Sequence, residues 1–383
     1  MRVVNSYDDC KFCEMKCRGG NLLEGITMPF SLKPDYEKTK ARYDAFWQRE
    51  IIDRPPVWIG FSAKEQKPVP VKDYPNFRER WLDIDFRVER EVAMLYNREF
   101  YADSLPIIWP NMGPGIFSAW CGCGYEFGDK TAWSIPCIEN WENDSSKAVF
   151  NENNPLFKTM VEFTKRLLEA GRGNFITGLT DFHPGGDHIA ALRGTQSLAV
   201  DLLEHPDAVK SMLSRSYKDY YKAYDIFYDM LRKENLPVTA WMPLIYEGRY
   251  NVPCCDFSCM ISSHMFEEFF MPGIIEECRF YDRSIYHLDG PGALRHLDLI
   301  LDIKELDAVQ WNTITGNDSF ATWAEVYKRI QDAGKAMQLN CSIDELPMVM
   351  ETLKPEGVWF SRITGIRDRE TADRVLRTIE HWG

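Results

Sequence analysis

The sequence lacks an excess of basic residues. Its 45 Lys and Arg are outnumbered by 58 Asp and Glu, which gives a formal net charge of −13. Surfaces that bind nucleic acids or anionic membranes need clustered Lys and Arg. We therefore expect neither a nucleic-acid partner nor a membrane partner.

Long apolar segments are also lacking. The longest uncharged run, residues 104–125, contains Pro106, Pro110 and Pro114, and prolines interrupt a membrane-spanning helix. No apolar stretch of the length of a signal peptide lies near Met1. The sequence therefore predicts a cytoplasmic protein without a membrane span.

The cysteine count gives no indication of a disulfide framework. Eleven cysteines, an odd number, are spread over 383 residues, so we expect reduced thiols that act, if at all, as ligands or nucleophiles. Cys10, Cys13 and Cys17 have a spacing that suggests an iron–sulfur or zinc site, but no fourth ligand lies in the same segment. Because cysteine is also a common buried residue, the structural interpretation stays open beside the metal one.

Short apolar runs alternate with helical patterns along most of the chain, which is typical of βα units. Eight such runs predict a (β/α)₈ TIM barrel over residues 36–383, preceded by a polar N-terminal arm at 1–35. The stretch 111–153 is too long for a βα loop and predicts an inserted hairpin after the second strand. A doubly wound open sheet is the alternative, although no Gly-rich nucleotide fingerprint follows the first strand. The eight runs are 57–61, 101–109, 175–179, 238–242, 284–287, 308–311, 336–339 and 357–360.

Reactive groups of such a barrel lie at the carboxyl ends of its strands. The fifth strand ends in His287 and Asp289, which are two residues apart and therefore point the same way. An imidazole and a carboxylate can together bind a metal ion or relay a proton. The alternative is a histidine hydrogen-bonded within a turn, beside an aspartate that caps a helix.

Other strand ends carry further candidates. Glu247 and Arg249 follow the fourth strand and suggest an acid/base group with an anion clamp, or else a surface ion pair. Cys341 ends the seventh strand as a further candidate metal ligand. The third strand is followed by four residues of types that bind metals, although their spacing is not that of a standard metal site: Asp181, His183, Asp187 and His188.

Aromatic side chains near the strand ends favour a flat or bulky organic ligand. We expect the substrate to contact Tyr246, Arg249, Tyr286, Trp311 and Asn312. A large barrel also buries many aromatic residues for packing alone, and that interpretation explains most of them.

Several motifs carry a resemblance to a known family. The segments KARYDAFW at 40–47 and IDRPPV at 52–57 resemble the opening of the uroporphyrinogen decarboxylase superfamily. FYAD at 100–103 resembles the segment that bears that family's catalytic aspartate, here Asp103, and HLDG at 287–290 resembles its strand-five end. The resemblance covers about residues 36–383 and implies a (β/α)₈ barrel.

The chain departs from the heme-pathway decarboxylases at one place. Their arginine-containing motif after the first strand is replaced by FSAKEQ at 61–66, which has no arginine pair for the carboxylates of a porphyrin. The other branch of the superfamily moves methyl groups between a small methylated compound, a corrinoid (cobalamin-type) protein and a thiol. Its zinc-binding members carry His-x-Cys where this chain has His287-x-Asp289, and Cys341 is the nearest thiol substitute. A related possibility is substrate activation by protonation, with His287, Asp289 or Glu247 as the acid.

Together these features predict a methyltransferase that acts on a small methylated substrate. A corrinoid carried by a partner protein is one expected acceptor, and zinc or another divalent metal is an expected cofactor. The alternatives are a decarboxylase of another acid, with Asp103 stabilising a developing positive charge, and a catalytically silent barrel that acts as a binding subunit. The expected catalytic residues are His287, Asp289, Asp103 and Glu247, and the expected metal ligands are His287, Asp289, His183, Asp187 and Cys341.

Overall fold

The computed structural model describes residues 30–314, 316 and 319–382. Most of the predicted N-terminal arm at 1–35 lies outside the described residues, and so do its three cysteines, Cys10, Cys13 and Cys17. The described end of the arm packs on the remainder of the chain. Phe30 is buried there, and its ring meets that of Tyr36 edge to face at 4.8 Å.

The described residues contain strands of very different lengths. The longest have seven residues and lie in the last third of the chain, whereas three strands have only two. In chain order they are β1 (Trp58–Ser62), β2 (Arg98–Ala102), β3 (Ile107–Ile108), β4 (Gly124–Phe127), β5 (Ala132–Ile135), β6 (Ile176–Thr177), β7 (Tyr250–Asn251), β8 (Arg283–Asp289), β9 (Ala308–Asn312), β10 (Ala336–Ser342) and β11 (Val358–Thr364).

Helices separate most of these strands. They are α1 (Tyr36–Gln48), α2 (Phe77–Leu82), α3 (Ile84–Tyr96), α4 (Ile116–Trp120), α5 (Trp141–Asp144), α6 (Pro155–Gly171), α7 (Gly185–Arg193), α8 (Thr195–Glu204), α9 (Pro206–Lys233), α10 (Ser263–Met265), α11 (Met271–Phe280), α12 (Leu297–Leu301), α13 (Phe320–Asp332), α14 (Leu346–Thr352) and α15 (Arg369–Glu380). Short 3₁₀ helices cover Asp256–Met260, Pro291–His296 and Ile343–Glu345, and a π-helical turn covers Phe266–Phe270. No helix in the described part of the chain is both long enough and apolar enough to cross a membrane.

The main sheet is a parallel half-barrel of five strands, in the order β11-β10-β9-β8-β7. Its strands lie side by side in chain order, without the reversal of a doubly wound sheet. In β8, Ile285 and Leu288 are buried, whereas His287 and Asp289 are only partly buried. The carboxyl ends of the parallel strands meet at one edge, which places the end of β8 beside the end of β9.

The prediction of a closed eight-stranded (β/α)₈ barrel is wrong. Among the described residues, β1 pairs antiparallel with β2, and β3 pairs with β6. The segment before β1 meets the five-stranded ladder at a single parallel bridge, from Val57 to Phe360. The predicted second strand is broken because Ala102 adopts a positive φ of 49° and Pro106 has no N–H to donate. The predicted fourth strand, 238–242, lies between two prolines and forms only one antiparallel bridge, from Val238 to Tyr246.

The hairpin expected within 111–153 is present. Strands β4 and β5 pair antiparallel, with Gly124 opposite Ile135 and Phe127 opposite Ala132. This hairpin contributes one wall of the cavity described below.

An aromatic cluster supports the segment that precedes α7. Phe182 is fully buried, and its ring lies 4.9 Å from Tyr220 of α9 and 5.2 Å from Trp120 of α4. Gly185 then begins α7 with a φ of +73°, and a Cβ there would lie 2.7 Å from the hydroxyl of Tyr217. Glycine therefore fits this turn where other residues would be strained.

Candidate functional site

A cavity of about 760 Å³ lies between α4, β5, α7, the 3₁₀ helix Asp256–Met260 and the end of β8. Its volume is typical of small-molecule sites. Within the described residues, no lysine or arginine lines it. The lining residues are Pro114, Gly115, Phe117, Ser118, Ala132, Trp133, Ser134, Pro136, Asp181, His183, Asp187, His188, Ala190, Ala191, Gly194, Thr195, Trp241, Cys254, Asp256, Phe257, Met260 and His287.

Asp181 and His183 form an ion pair on the cavity wall. The Nε2 atom of His183 lies 2.6 Å from Oδ1 of Asp181, and the His183 side chain is only 10% exposed. Burial alone lowers the pKa of His183, but the charge of Asp181 and its hydrogen bond outweigh burial and raise the pKa to about 9. The imidazole is therefore protonated at neutral pH, and its buried Nδ1 atom has no hydrogen-bond partner among the described residues.

His188 shows the opposite behaviour one turn into α7. Its Nδ1 atom contacts Oγ of Ser216 at 2.6 Å, and its Nε2 atom has no hydrogen-bond partner in the described structure. Burial lowers the pKa of His188 to about 3. This histidine is neutral and adds no positive charge to the cavity.

Asp187 lies in the first turn of α7 and holds a distant loop in place. Its Oδ2 atom accepts the backbone N–H of Asp256 at 2.9 Å, and its Oδ1 atom accepts that of Phe257 at 2.8 Å. The thiol of Cys254 lies 3.4 Å from the same Oδ2 atom. These contacts place the loop 254–257 against the start of α7.

Asp256 has a raised pKa. Its side chain is 55% exposed, yet it lies in an acidic part of the cavity. Partial desolvation, followed by the negative charges of Asp187 and Asp289, raises the pKa of Asp256 to about 7. Near neutral pH this carboxyl group therefore exchanges readily between its charged and neutral forms.

The end of β8 brings His287 and Asp289 to the same place. The Nε2 atom of His287 lies 3.5 Å from Oδ1 of Asp289 and 3.9 Å from Oδ1 of Asp256. Its Nδ1 atom contacts the side-chain oxygen of Gln310, the residue opposite it on β9. Asn312, two pairs further along, donates its side-chain amide to Oδ1 of Asp289 at 2.5 Å.

Two overlapping groups of side chains have the spacing of a metal site, and both contain Asp256. One consists of Asp256, His287 and Asp289, and the other of Asp187, Cys254 and Asp256; within each group the ligand atoms lie within 4.8 Å of one another. Nitrogen and oxygen ligands suit zinc and several other divalent ions. Burial raises the pKa of the Cys254 thiol well above its ordinary value, so this thiol is protonated at neutral pH in the absence of a metal ion.

Two predicted metal ligands lie outside both groups. His183 is bound to Asp181 instead. Cys341 is buried in β10, where burial and the charge of Glu345 raise the pKa of its thiol to about 12.

The structure places Asp103 away from the cavity. Its carboxylate is fully buried and accepts hydrogen bonds from Arg42 at 2.7 Å, from Arg54, and from the backbone N–H of Val57 at 2.9 Å. Both carboxylate oxygens are therefore bound to arginines that join α1 to the start of β1. Asp103 has a structural role here, and its predicted catalytic role remains a prediction.

The candidates that follow the fourth predicted strand form surface ion pairs. Glu247 is 48% exposed and lies 3.2 Å from Arg232. Arg249 pairs with Asp225 at 2.9 Å, and the guanidinium lies over the ring of Tyr228. None of these side chains lines the cavity.

The predicted substrate contacts are divided between core and cavity edge. Tyr286 and Trp311 are buried within the sheet, and Tyr246 lies under the guanidinium of Arg283. Asn312 does not line the cavity, but it donates a hydrogen bond to Asp289. The cavity instead presents the aromatic residues Phe117, Trp133, Trp241 and Phe257.

Asp256 and Cys254 were not among the site residues predicted from the sequence. The available signal was their position between the predicted fourth and fifth strands, in the run Cys254-Cys255-Asp256. That run has no metal-ligand spacing of its own. Only the contacts of this run with α7 and β8 in the folded chain place it at the site.

Comparisons with known proteins support the fold. No family model matches the chain, and no curated protein matches it in sequence. The resemblance to the uroporphyrinogen decarboxylase superfamily therefore stays a prediction. A solved structure, a methyltransferase from Methanosarcina mazei, is similar with a TM-score of 0.57 over 92% of this chain and 98% of that one, at 13% sequence identity. At this identity the likeness shows a shared fold.

Proposed function

We propose that this chain is a methyltransferase and that its reaction takes place in the cavity beside α7 and β8. The observation that carries the proposal is the convergence of Asp187, Asp256 and His287 on one wall of an otherwise largely apolar cavity. The methyltransferase from Methanosarcina mazei, similar over nearly its whole length, supports the same chemistry.

The step is a transfer of a methyl group from a heteroatom of the substrate to a nucleophilic acceptor. The electron pair of the broken bond stays on the heteroatom, and the acceptor supplies the pair for the new bond. The heteroatom leaves most easily as a neutral group, so it must be positively charged or receive a proton. Asp187, Asp256 and Asp289 provide negative charge that binds a positively charged heteroatom, and Asp256 or His287 can provide a proton to an uncharged one.

We propose a corrinoid carried by a partner protein as the acceptor, because it is the nucleophile that the sequence resemblance implies. The acceptor must reach the substrate from outside. Trp133 and Met260 line the cavity and are 49% and 51% exposed, so the cavity opens to the surface beside them.

A divalent metal ion such as zinc is the alternative occupant that we propose for the same wall, in place of a positively charged heteroatom of the substrate. Asp256, His287 and Asp289 fit it with one nitrogen and two oxygen ligands within 4.8 Å. When bound, the ion would act as a Lewis acid on the substrate. Elemental analysis of the purified protein, compared with a His287→Ala variant, tests this part separately.

The decarboxylase alternative is not favoured by the structure. It requires Asp103 to face a substrate, and both oxygens of that carboxylate are bound to Arg42 and Arg54. The porphyrin substrate is also disfavoured, because no Lys or Arg in the described chain lines the cavity to bind its carboxylates.

Methyl transfer can be tested with free cob(I)alamin as a substitute acceptor. The protein is mixed without oxygen with methylated amines, ethers or thioethers, and the absorbance of methylcobalamin is followed. We expect product with one of these classes and a large loss of product in Asp256→Asn. Absence of product with all three classes, with or without added zinc, would contradict the proposal and favour a binding subunit.

A further inference from the structure

The charge of the cavity points to a class of substrate. His183 pairs with Asp181 at 2.6 Å and His188 contacts the hydroxyl of Ser216 at 2.6 Å, so among the described residues neither histidine makes an ion pair with the other carboxylates of the site. Two further carboxylates line the cavity, those of Asp187 and Asp256, and the carboxylate of Asp289 lies 3.5 Å from the lining residue His287. Within the described residues, no Lys or Arg nitrogen lies within 4 Å of any of them; the ion-pair contacts of Asp256 and Asp289 are with His287.

Asp187 and Asp289 also accept hydrogen bonds, but from uncharged groups that do not cancel the negative charge. Asp187 accepts two backbone N–H groups. Asp289 accepts the amide of Asn312. A cavity with this excess of negative charge disfavours an anionic substrate and attracts a cation.

The remaining walls are suited to a particular kind of cation. Four aromatic side chains line the cavity: Phe117, Trp133, Trp241 and Phe257. Trp241 lies beside the reactive end of β8, with its ring 5.2 Å from that of His287 and perpendicular to it. Aromatic faces bind methylated ammonium groups, whose charge is spread over apolar methyl groups.

We infer that the cavity selects a small methylated ammonium cation as its methyl donor. This inference rests on the proposed methyl transfer and specifies its substrate class. Such a donor needs no proton from the protein, because its nitrogen leaves as a neutral amine when the methyl group and its positive charge pass to the acceptor. The carboxylates then bind the substrate rather than protonate it.

Selection for charge can be measured with two ligands of the same shape. Choline and 3,3-dimethyl-1-butanol differ by the replacement of the charged nitrogen with carbon. We expect isothermal titration calorimetry at pH 8, with a chelator present, to show choline binding at least about tenfold more tightly than the alcohol. Equal binding, or tighter binding of the alcohol, would overturn the inference.

Single substitutions test which side chains of the cavity select the cationic ligand. Asp256→Asn should weaken choline binding by about threefold to tenfold and leave binding of the alcohol unchanged. Asp85→Asn, which removes a carboxylate that is 81% exposed on α3, should change neither. Trp241→Leu should weaken choline binding; if this variant does not fold, Trp133→Leu at the exposed edge replaces it. Choline affinities unchanged in all the cavity variants would overturn the inference.

The outcome separates this inference from the proposed function. Preferential choline binding without methyl loss would support cation selection and contradict methyl transfer. Methyl transfer from neutral ethers alone would support the proposed function and overturn cation selection. A tightly bound divalent metal ion at about one per chain, lost in Asp256→Asn, would show that an ion rather than the substrate neutralises the carboxylates, and would also overturn it.

Discussion

The carboxylate of Asp187 accepts the backbone N–H of Asp256 at 2.9 Å. The two residues are 69 positions apart in the chain, at the start of α7 and at the start of a 3₁₀ helix. This hydrogen bond places one carboxylate beside the other. Partial desolvation, and after it the charge of Asp187, raise the pKa of Asp256. The site therefore depends on a tertiary contact as much as on its individual residues.

Replacing Asp187 by asparagine should loosen this loop. An amide has one acceptor oxygen, so the N–H of either Asp256 or Phe257 would face an NH₂ group. We expect KM for the methyl donor to rise by about tenfold, with a smaller change in kcat. Steady-state kinetics and thermal melts measure both effects. An unchanged KM in a folded variant would show that the loop is held by other contacts.

The affinity for a cationic donor should depend on pH through Asp256. Partial desolvation and the charges of Asp187 and Asp289 raise the pKa of Asp256 to about 7, with Asp181 acting in the same direction and His183 opposing it. The carboxyl group is neutral below that pH and charged above it, so affinity should rise from pH 6 to pH 8 and then level off. Titrations over this range, with Asp256→Asn as the comparison, should show the rise in the wild type only. An affinity that falls with pH would favour protonation of the substrate by Asp256.

The ion pair of His183 and Asp181 should stabilise the fold in a limited pH range. The pKa of His183 is about 9 in the folded protein and about 6.5 in an unfolded chain. The contribution is therefore complete below pH 6.5 and is lost as the pH rises towards 9 and beyond. We expect Asp181→Asn to lower Tm more at pH 6 than at pH 9.5. NMR titration showing His183 with a pKa at or below 6.5 in the wild type would contradict this account.

Asp103 should matter for stability. Its buried carboxylate is bound to Arg42 and Arg54, and removal of one partner leaves buried charges without compensation. We expect Asp103→Asn to lower the free energy of unfolding by about 3–5 kcal/mol. Urea unfolding, with Asp85→Asn as the control, measures this loss. Wild-type stability together with lost activity would instead support the catalytic role that the sequence resemblance implies.

Local sequence patterns predicted one half of the sheet better than the other. The apolar runs at 284–287, 308–311, 336–339 and 357–360 are strands β8 to β11, because each run is regular and extends into a parallel ladder. Among the earlier runs, 101–109 is interrupted by Pro106 and by the positive φ of Ala102, and 238–242 lies between two prolines. The run 57–61 does form β1, but this strand pairs antiparallel with β2. Apolar composition alone did not reveal these interruptions of the hydrogen-bonded ladder.

The candidate site was predictable where its residues belong to one strand. His287 and Asp289 point the same way because they are two residues apart in β8, and the structure brings them together. Cys254 joins them through a parallel bridge to His287, and the backbone of Asp256 is held by Asp187, which is far away in the chain. No local pattern encodes such a contact.

The most direct test of the account is a single-turnover transfer of a deuterium-labelled methyl group. A trimethylammonium donor labelled with CD₃ is mixed without oxygen with the protein and free cob(I)alamin, and mass spectrometry identifies where the label ends. We predict labelled methylcobalamin with the wild type and with Asp85→Asn, and at least about tenfold less with Asp256→Asn at low donor concentration. Label that remains entirely on the donor, or equal transfer with Asp256→Asn, would contradict the central claim.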